Sequence, residues 1–538
     1  MKHIRLYIFC SLLFCTAPLT SYADEFDDFS TDDSADIFAD DPELDSSFSD
    51  SPDMSIKRSM SSEEVIESLL ALGLIDLLKH NFYLRTNPLN KRSLLDYSIF
   101  FDQKTSYDFR WVAGVHGFYN QTNRANFTSN STNICSYLGI ADPALLADIQ
   151  NAVNNIASKG GIPLEFDPLS FIPLFNNFTI QERRIGAMLH AAGFFDTTTI
   201  RFWLPLYYLE RNFYATDDER DAVEVILGAN TVDQQARFQS QHLVSDKFGL
   251  GDTRIEVDFQ VIENEHAHLQ LGLQTTIPTA VPLYSSIEGS VFHECPNRPT
   301  FDFSALFNNP TQGSVILQEF LTGALDKLAA NLLDTRLGNN GHLGLGAYAQ
   351  LEAPVSCLID RPWTDNMSFW SKLKLEYLCP AHEQRYFVNQ VNLADFNARD
   401  FNSDDQAADN LNFLNQQIVD RFYPYVLRTL VNPGIVFHWV GKTCYESKGW
   451  GGALGLDLWA QGPESLGKID FCNVSCNNLN LNTATVPFAF QSKVVGNILF
   501  KATRRDYEWI ASLNGDYTFA SAGIGKDYML SVNVEVNF

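Results

Sequence analysis

The sequence predicts an all-β chain whose antiparallel strands close into a transmembrane barrel of about fourteen strands, with helical insertions in its long outer loops. Three observations carry this: strict two-residue alternation in segment after segment, the absence of a long apolar run, and connections whose lengths alternate between short and long. The end of the chain shows the alternation most cleanly. Tyr528, Leu530, Val532, Val534, Val536 and Phe538 fall on one face and Met529, Ser531, Asn533, Glu535 and Asn537 on the other. The best helical candidate for a membrane, Val65 to Leu78, is too short for a span of ~18 residues and carries Glu67 and Asp76. Lipid accepts only helices and closed sheets whose backbone groups are all paired, so a membrane span here has to be a barrel.

Read back from Phe538, strands are expected near Tyr507–Tyr517, Val494–Ala502, Trp450–Ala460, Ile435–Thr443, Phe369–Tyr377, Leu343–Leu351, Ala267–Ile277, Arg254–Val261, Ile200–Tyr208, Ile185–Ala191, Tyr107–Tyr119 and Leu94–Phe101. A first strand at Asn81–Thr86, turned back by Asn87-Pro88-Leu89-Asn90, brings the total to an even number, as single-chain bacterial barrels favour. If Phe538 lies on the side of the short turns, Asp102–Ser106, Phe195–Thr198, Glu263–His266 and Arg504–Asp506 become short inner turns. Gln121–Arg183, Glu210–Gly251, Pro278–His342, Pro380–Pro433 and Gln461–Lys493 become long outer connections. A sandwich of soluble sheets has no reason to sort its loops in this way.

Helical spacing appears in Pro143–Ser158, in Val315–Leu337 through Ile316, Phe320, Leu328 and Leu332, and in Gln406–Leu430 through Phe413, Ile418, Phe422, Val426 and Leu430. Such apolar faces are expected to pack on one another as a cap or to fold into the lumen. Ser61-Ser62-Glu63-Glu64 opens a further helix with a capping box, followed by Val65, Ile66, Leu69, Leu70 and Leu77. The resulting domain reading is a signal peptide over residues 1–23, an acidic disordered segment over 24–60, a helix over 61–79 serving as a plug or lying in the periplasm, and the barrel over 80–538.

The signal rests on Lys2, His3 and Arg5, an apolar core from Leu6 to Phe14, and the small-x-small site Ser21-Tyr22-Ala23. The net charge of −27 owes much to Asp24–Asp53, where no Lys or Arg appears, and it argues against a nucleic-acid partner. Seven cysteines follow the signal, an odd number that leaves a thiol unpaired or bridged to another chain.

Once the apolar face of each strand is turned outward, the other face must line the lumen. In Arg254–Val261 that places Arg254, Glu256, Asp258 and Gln260 inside, and in Phe369–Tyr377 it places Trp370, Lys372, Lys374 and Glu376 inside. Arg110, Arg184, Arg201 and Arg254 gather on one wall, and Asp457, Glu508, Asp516 and Glu535 on the other. Two readings follow, a transverse field that selects solutes and a set of salt bridges that fills the lumen. With Glu256, Asp258, His268, Lys372 and Lys374 these are the candidate lumen and selectivity residues. Tyr107, Trp111, Tyr119, Trp509 and Tyr517 suit interfacial girdles. His266 and His268 share the inward face without a further ligand at metal-site spacing, so neither metal nor cofactor is expected. Nucleophile elbows, metalloprotease motifs and phosphate loops are missing from the sequence, and no enzymatic role is expected.

The terminal aromatic preceded by alternate apolar residues, Tyr528 through Phe538, resembles the assembly signal of Gram-negative outer-membrane β-barrels. That resemblance implies an outer-membrane location, with lipid, the barrel-assembly machinery and small solutes as partners, and a monomer or homotrimer as the oligomeric state. The opposed charges resemble those of porins, implying passive diffusion of small polar solutes. Strand number and an N-terminal helix make the chain look like the fatty-acid transporter family, although that family's plug motif is not identifiable here. A third expectation is a surface adhesin or antigen that the barrel merely anchors.

Overall fold

The computed structural model describes residues 61–71, 80, 84–86, 91–97, 111–124, 144, 147–148, 151, 179–214, 221, 244–264, 267–285, 310–333, 336–357, 361–389, 404–470, 479–504 and 507–538. In chain order the strands are β1 (Trp111–Arg124), β2 (Thr179–Phe195), β3 (Thr198–Tyr214), β4 (Val244–Leu250), β5 (Thr253–Asn264), β6 (Ala267–Ile277), β7 (Val281–Ser285), β8 (Gly344–Pro354) and β9 (Met367–Leu378). They continue with β10 (Ala381–Phe387), β11 (Tyr425–Asn432), β12 (Val436–Ser447), β13 (Trp450–Gln461), β14 (Ser465–Ile469), β15 (Ala489–Arg504), β16 (Tyr507–Ala522) and β17 (Lys526–Asn537). The helices are α1 (Ser62–Ala71), α2 (Pro310–Leu333), α3 (Asp404–Phe422) and α4 (Leu481–Ala484).

Fourteen strands share the main sheet, and all but β4 and β7 close into one antiparallel ring: β1, β2, β3, β5, β6, β8, β9, β12, β13, β15, β16 and β17. The seam pairs β1 with β17, from Val112 opposite Asn537 to Arg124 opposite Lys526. Every strand of this twelve-membered ring matches a segment expected from the sequence. The two surplus strands of that expectation are corrected. Leu94–Tyr97 is a turn of 3-10 helix with all four residues buried, and Leu84–Thr86 belongs to no strand; Asn81–Tyr83 and Ser98–Phe101 lie outside the described residues.

β3 is seventeen residues long and outgrows the wall, pairing with β5 near its start and with β4 beyond Leu206. β7 then adds to β4, so this corner of the sheet rises above the rest of the barrel.

Pairing register fixes the two ends. Trp111, Asp196–Thr197, Lys448–Gly449 and Phe538 share one end, and apart from the longer connection 355–366 between β8 and β9 the turns there are tight: Asp196 and Lys448 take positive φ of 50° and 51°, with Gly449 at 81°. Long connections leave from the other end, save the three-residue turn at 523–525 between β16 and β17. Orphaned strand edges are therefore absent from the ring, which is the condition for residing in hydrocarbon.

The outward face is apolar. On β17, Leu530, Val532 and Val534 are 54%, 55% and 44% exposed, whereas Met529, Ser531, Asn533 and Glu535 between them are buried. Trp111 and Trp509 lie at the Phe538 end, and Tyr119 and Tyr517 toward the opposite end, giving two aromatic belts. Trp509 and Tyr517 are eight residues apart on β16, roughly 27 Å along the strand and, with the tilt of a barrel wall, about 20 Å in height, approaching the ~25 Å of a membrane-spanning band.

Over the other end sits a cap. β10, β11 and β14 form a second, three-stranded sheet, and α2 meets α3 where Phe320 lies edge-on to Phe422 at 5.4 Å. α2 begins with Pro310 at its first position, where the missing N–H costs nothing. The helix expected across Gln406–Leu430 stops at Phe422, ahead of Pro424, and Tyr425–Asn432 is strand β11. Val426 is thus buried as a strand residue and Leu430 half-buried in the same strand. Tyr423 locks the junction by donating its hydroxyl to the Phe320 carbonyl at 2.6 Å.

α1 carries the expected capping box, with Ser61 N–H donating to Glu64 Oε2 at 2.8 Å and Glu64 N–H to Ser61 Oγ at 3.3 Å. It packs on α3 at the capped end rather than in the lumen or under the opposite rim. Of the helix expected over Pro143–Ser158, nearly all lies outside the described residues.

Candidate functional site

The site is the lumen, built from the inward half of each strand and from the chain that descends into it. Arg184, Arg201, Arg254, Glu256, Asp258, Lys372, Lys374, Asp457, Asp516 and Glu535 all point inward and are buried, as alternation predicts. His268 and Glu508 occupy inward positions near the Phe538 end and are half-buried. Arg110 lies outside the described residues.

Opposed basic and acidic walls are not what these groups form. Each cation meets an anion close by: Lys372 Nζ lies 2.9 Å from Glu256 Oε2 with both side chains fully out of contact with solvent, Arg201 pairs with Asp258, and Arg184 with Glu182 at 2.6 Å. Lys493 sits 2.9 Å from Asp516 and 2.7 Å from Asp527. His438 Nε2 faces Asp457 at 3.0 Å. Aromatic faces cover the ammonium groups, with Lys372 over Tyr348 and Lys442 over Trp370, both at 4.3 Å. Pairing of this kind is what permits so many charges to be buried, since an isolated one would be prohibitively costly.

The chain from Lys91 to Tyr97 completes the network from within. Arg92 reaches Asp457 at 2.5 Å, and Tyr97 donates its hydroxyl to Asp527 at 2.6 Å while its ring lies 4.2 Å beneath Lys493. Asp96 takes Lys374 on one side and Arg254 on the other, the latter at 3.2 Å, and accepts from Trp459 Nε1 at 3.2 Å. Arg254 also donates to the Leu95 carbonyl. These wall residues belong to the outer part of the ring, so Lys91–Tyr97 forms a plug there. Asp96 was hidden to sequence reading because its segment resembles a strand; two leucines followed by Asp-Tyr alternate too little to tell a wedge from a wall.

Above the plug lies a polar mouth of about 100 Å³, lined by Lys91, His342, Glu383, Arg385, Gln461 and Glu464 among others. Arg385 bridges Glu383 at 3.0 Å and Glu464 at 3.1 Å, and His342 Nε2 lies 2.5 Å from Glu383. Burial works to raise the Glu383 carboxyl, but the Arg385 guanidinium and His342 outweigh it and hold it below the usual range. Burial pushes the Lys91 ammonium down to about 8, where it donates to the Pro487 carbonyl. The backbone is anchored alongside, Thr86 N–H donating to the Thr483 carbonyl at 2.9 Å.

No family model matches the chain, and no curated protein matches it. Among solved structures it is similar to an outer membrane channel from Pseudomonas putida F1, at 10% identity and a TM-score of 0.37, covering 80% of this chain and 96% of that one. It is also similar to the translocator domain of the autotransporter NalP from Neisseria meningitidis, at 6% identity and a TM-score of 0.31, covering 82% and 92%. The Pseudomonas putida toluene transporter TodX follows at 8% identity and a TM-score of 0.28, covering 85% and 95%. The proteins it resembles are thus outer-membrane β-barrel channels, transporters and translocators, and identities this low reach no further than the fold.

Proposed function

We propose that the protein is an outer-membrane channel for small polar solutes, held closed here by its own Lys91–Tyr97 segment. The observation that carries this reading is the match between a polar, charge-lined interior and a short wedge tied to it by side-chain contacts and by no shared strand pairing. Arg92, Asp96 and Tyr97 can leave together, and the groups they release, Asp457, Asp527, Lys374 and Arg254, then line an aqueous path with charges of both signs. Hydrophobic cargo is the runner-up: Phe118, Met188, Tyr207, Val495 and Met529 form an apolar patch on the inward face, packed on Leu94 and Leu95 of the wedge, but the ion pairs beside it favour a polar solute. In this reading the β17 pattern directs assembly into the outer membrane of a Gram-negative cell, a signal peptide exports the chain, and the protein carries out no reaction.

A second reading is a surface protein for which the barrel is an anchor. It draws on the cap, whose three-stranded sheet and helices present a large folded face on the side of the long connections.

Planar-bilayer recording separates the two. The full chain is expected to conduct rarely and in small steps, whereas Asp96→Ala, which loosens the wedge from Lys374 and Arg254, and a chain lacking residues 61–97 should open for long periods. Mobility on unboiled gels shows that each variant has closed its barrel. Silence from both folded variants would overturn the channel reading and leave the anchor.

A further inference from the structure

On the inward wall near the Phe538 end, β2, β1 and β17 lie side by side and bring together two imidazoles and a carboxylate. His190 Nε2 is 3.3 Å from Glu535 Oε1, and His116 Nε2 is 3.9 Å from the same oxygen. The two rings stand 4.5 Å apart between centroids. One ligand atom from each residue falls within 4.8 Å of the others, and His116 and Glu535 are buried. Asn533 Nδ2 donates to Glu535 Oε1 at 2.6 Å and fixes the carboxylate in this direction. We propose that His116, His190 and Glu535 form a binding site for a late first-row divalent cation, with Zn²⁺ as its natural probe.

Register explains how three residues so far apart in the chain converge. Gly114 pairs with His190 on one side and with Glu535 on the other, and His116 lies two residues along the same inward face. A Cβ at Gly114 would overlap His190 Cε1 and stand 2.7 Å from Glu535 Cγ. The missing side chain is therefore the space into which both neighbours lean. Conformational freedom is not what the glycine supplies; room is.

The donor set suits the ion. Two neutral imidazole nitrogens and one carboxylate oxygen are the ligands of open zinc sites, in which the ion keeps further positions for water or a passing solute. At bond lengths of about 2.0–2.1 Å, tetrahedral ligand atoms lie roughly 3.4 Å apart; His190 already stands at that distance from Glu535, and His116 has to move inward to complete the set. The hard ions Mg²⁺ and Ca²⁺ prefer all-oxygen shells and are disfavoured. The site also straddles the seam where the first and last ring strands meet, and a bound ion staples β2, β1 and β17 together. This inference needs an inward wall and does not depend on whether the pore conducts.

Calorimetric titration of the purified, folded full chain with Zn²⁺ tests it. One equivalent is expected to bind, and the gel temperature at which the barrel opens should rise with Zn²⁺ concentration, as for any ligand that binds only the folded state. His116→Ala and His190→Ala should each weaken binding by more than about tenfold, the scale of a disrupted metal shell, and abolish the thermal shift. Gly114→Ala keeps all three ligands and should weaken binding as well, whereas Gly117→Ala, whose Cβ would meet only a carbonyl oxygen at 3.9 Å, should bind as the parent does. Either no stoichiometric binding by the parent chain, or parent-like binding and thermal shift in the folded His116→Ala/His190→Ala double variant, would overturn the site.

Discussion

The two faces of one strand solve opposite problems. On β9, Leu373 and Leu375 project outward with 39% and 51% of their surface uncovered, while Lys372, Lys374 and Glu376 between them are buried. A water-soluble sheet reverses this order, hiding leucine and showing lysine. Here the apolar face is satisfied by hydrocarbon and the polar face by its own counter-charges, so the barrel depends on two separate forces. Outward residues gain from transfer and are interchangeable among apolar types; inward residues gain from specific partners and are not.

The largest effect that sharpens this contrast should come from breaking one inward pair. Lys372→Ala leaves Glu256 charged, fully buried and without its cation, at a cost of about 3–5 kcal/mol. Lys372→Met with Glu256→Gln removes both charges at nearly constant volume and should recover most of that loss. Urea unfolding of the barrel in lipid vesicles measures both. Equal destabilisation by the single and the double variant would mean the inward face is held by packing alone.

An outward charge tests the opposite face. Val532→Arg on β17 places a cation in hydrocarbon and should cost about 2–4 kcal/mol near the midplane, while Ser531→Arg next to it points inward. Val532→Ala should cost much less than Val532→Arg in the same vesicle assay. If Arg at 532 were tolerated like Ala, that face would not be touching lipid.

This asymmetry also governs how much of the molecule could be read in advance. Alternation exposed all twelve ring strands because hydrocarbon enforces it residue by residue along each of them. The plug was illegible because no solvent enforces a period on it: Arg92, Asp96 and Tyr97 answer to individual partners on β5, β9, β13 and β17. Taking Leu94–Phe101 and Asn81–Thr86 as wall had a second consequence. It inserted strands between β1 and β17 and so concealed the seam, across which His116 and His190 meet Glu535. Glu535 was recognisable as inward, but its partners depend on closure, which is a property of the ring and not of any strand. The choice between a transverse field and lumen-filling salt bridges stayed open for the same reason, since which arginine meets which carboxylate depends on register.

The smallest expected effect concerns the cap, which stands outside both the lipid-facing wall and the lumen. Glu383 on β10 joins Arg385 and His342 at the mouth, and its carboxyl is held below the usual range because those cations outweigh the cost of its burial. A carboxyl lowered on folding contributes stability that is fully present above the ordinary glutamate range near ~4.3 and is lost as pH falls through the lower folded value. Acid should therefore loosen the cap before it touches the ring, whose strands are paired all the way round. Hydrogen exchange at β10 and β11, followed from neutral pH down to about 3, should show protection falling there while β16 and β17 stay protected. Glu383→Gln should flatten that pH dependence and lower cap protection at neutral pH. Parallel loss in cap and ring would instead mean that the mouth and the wall open as one unit, with the plug linking them.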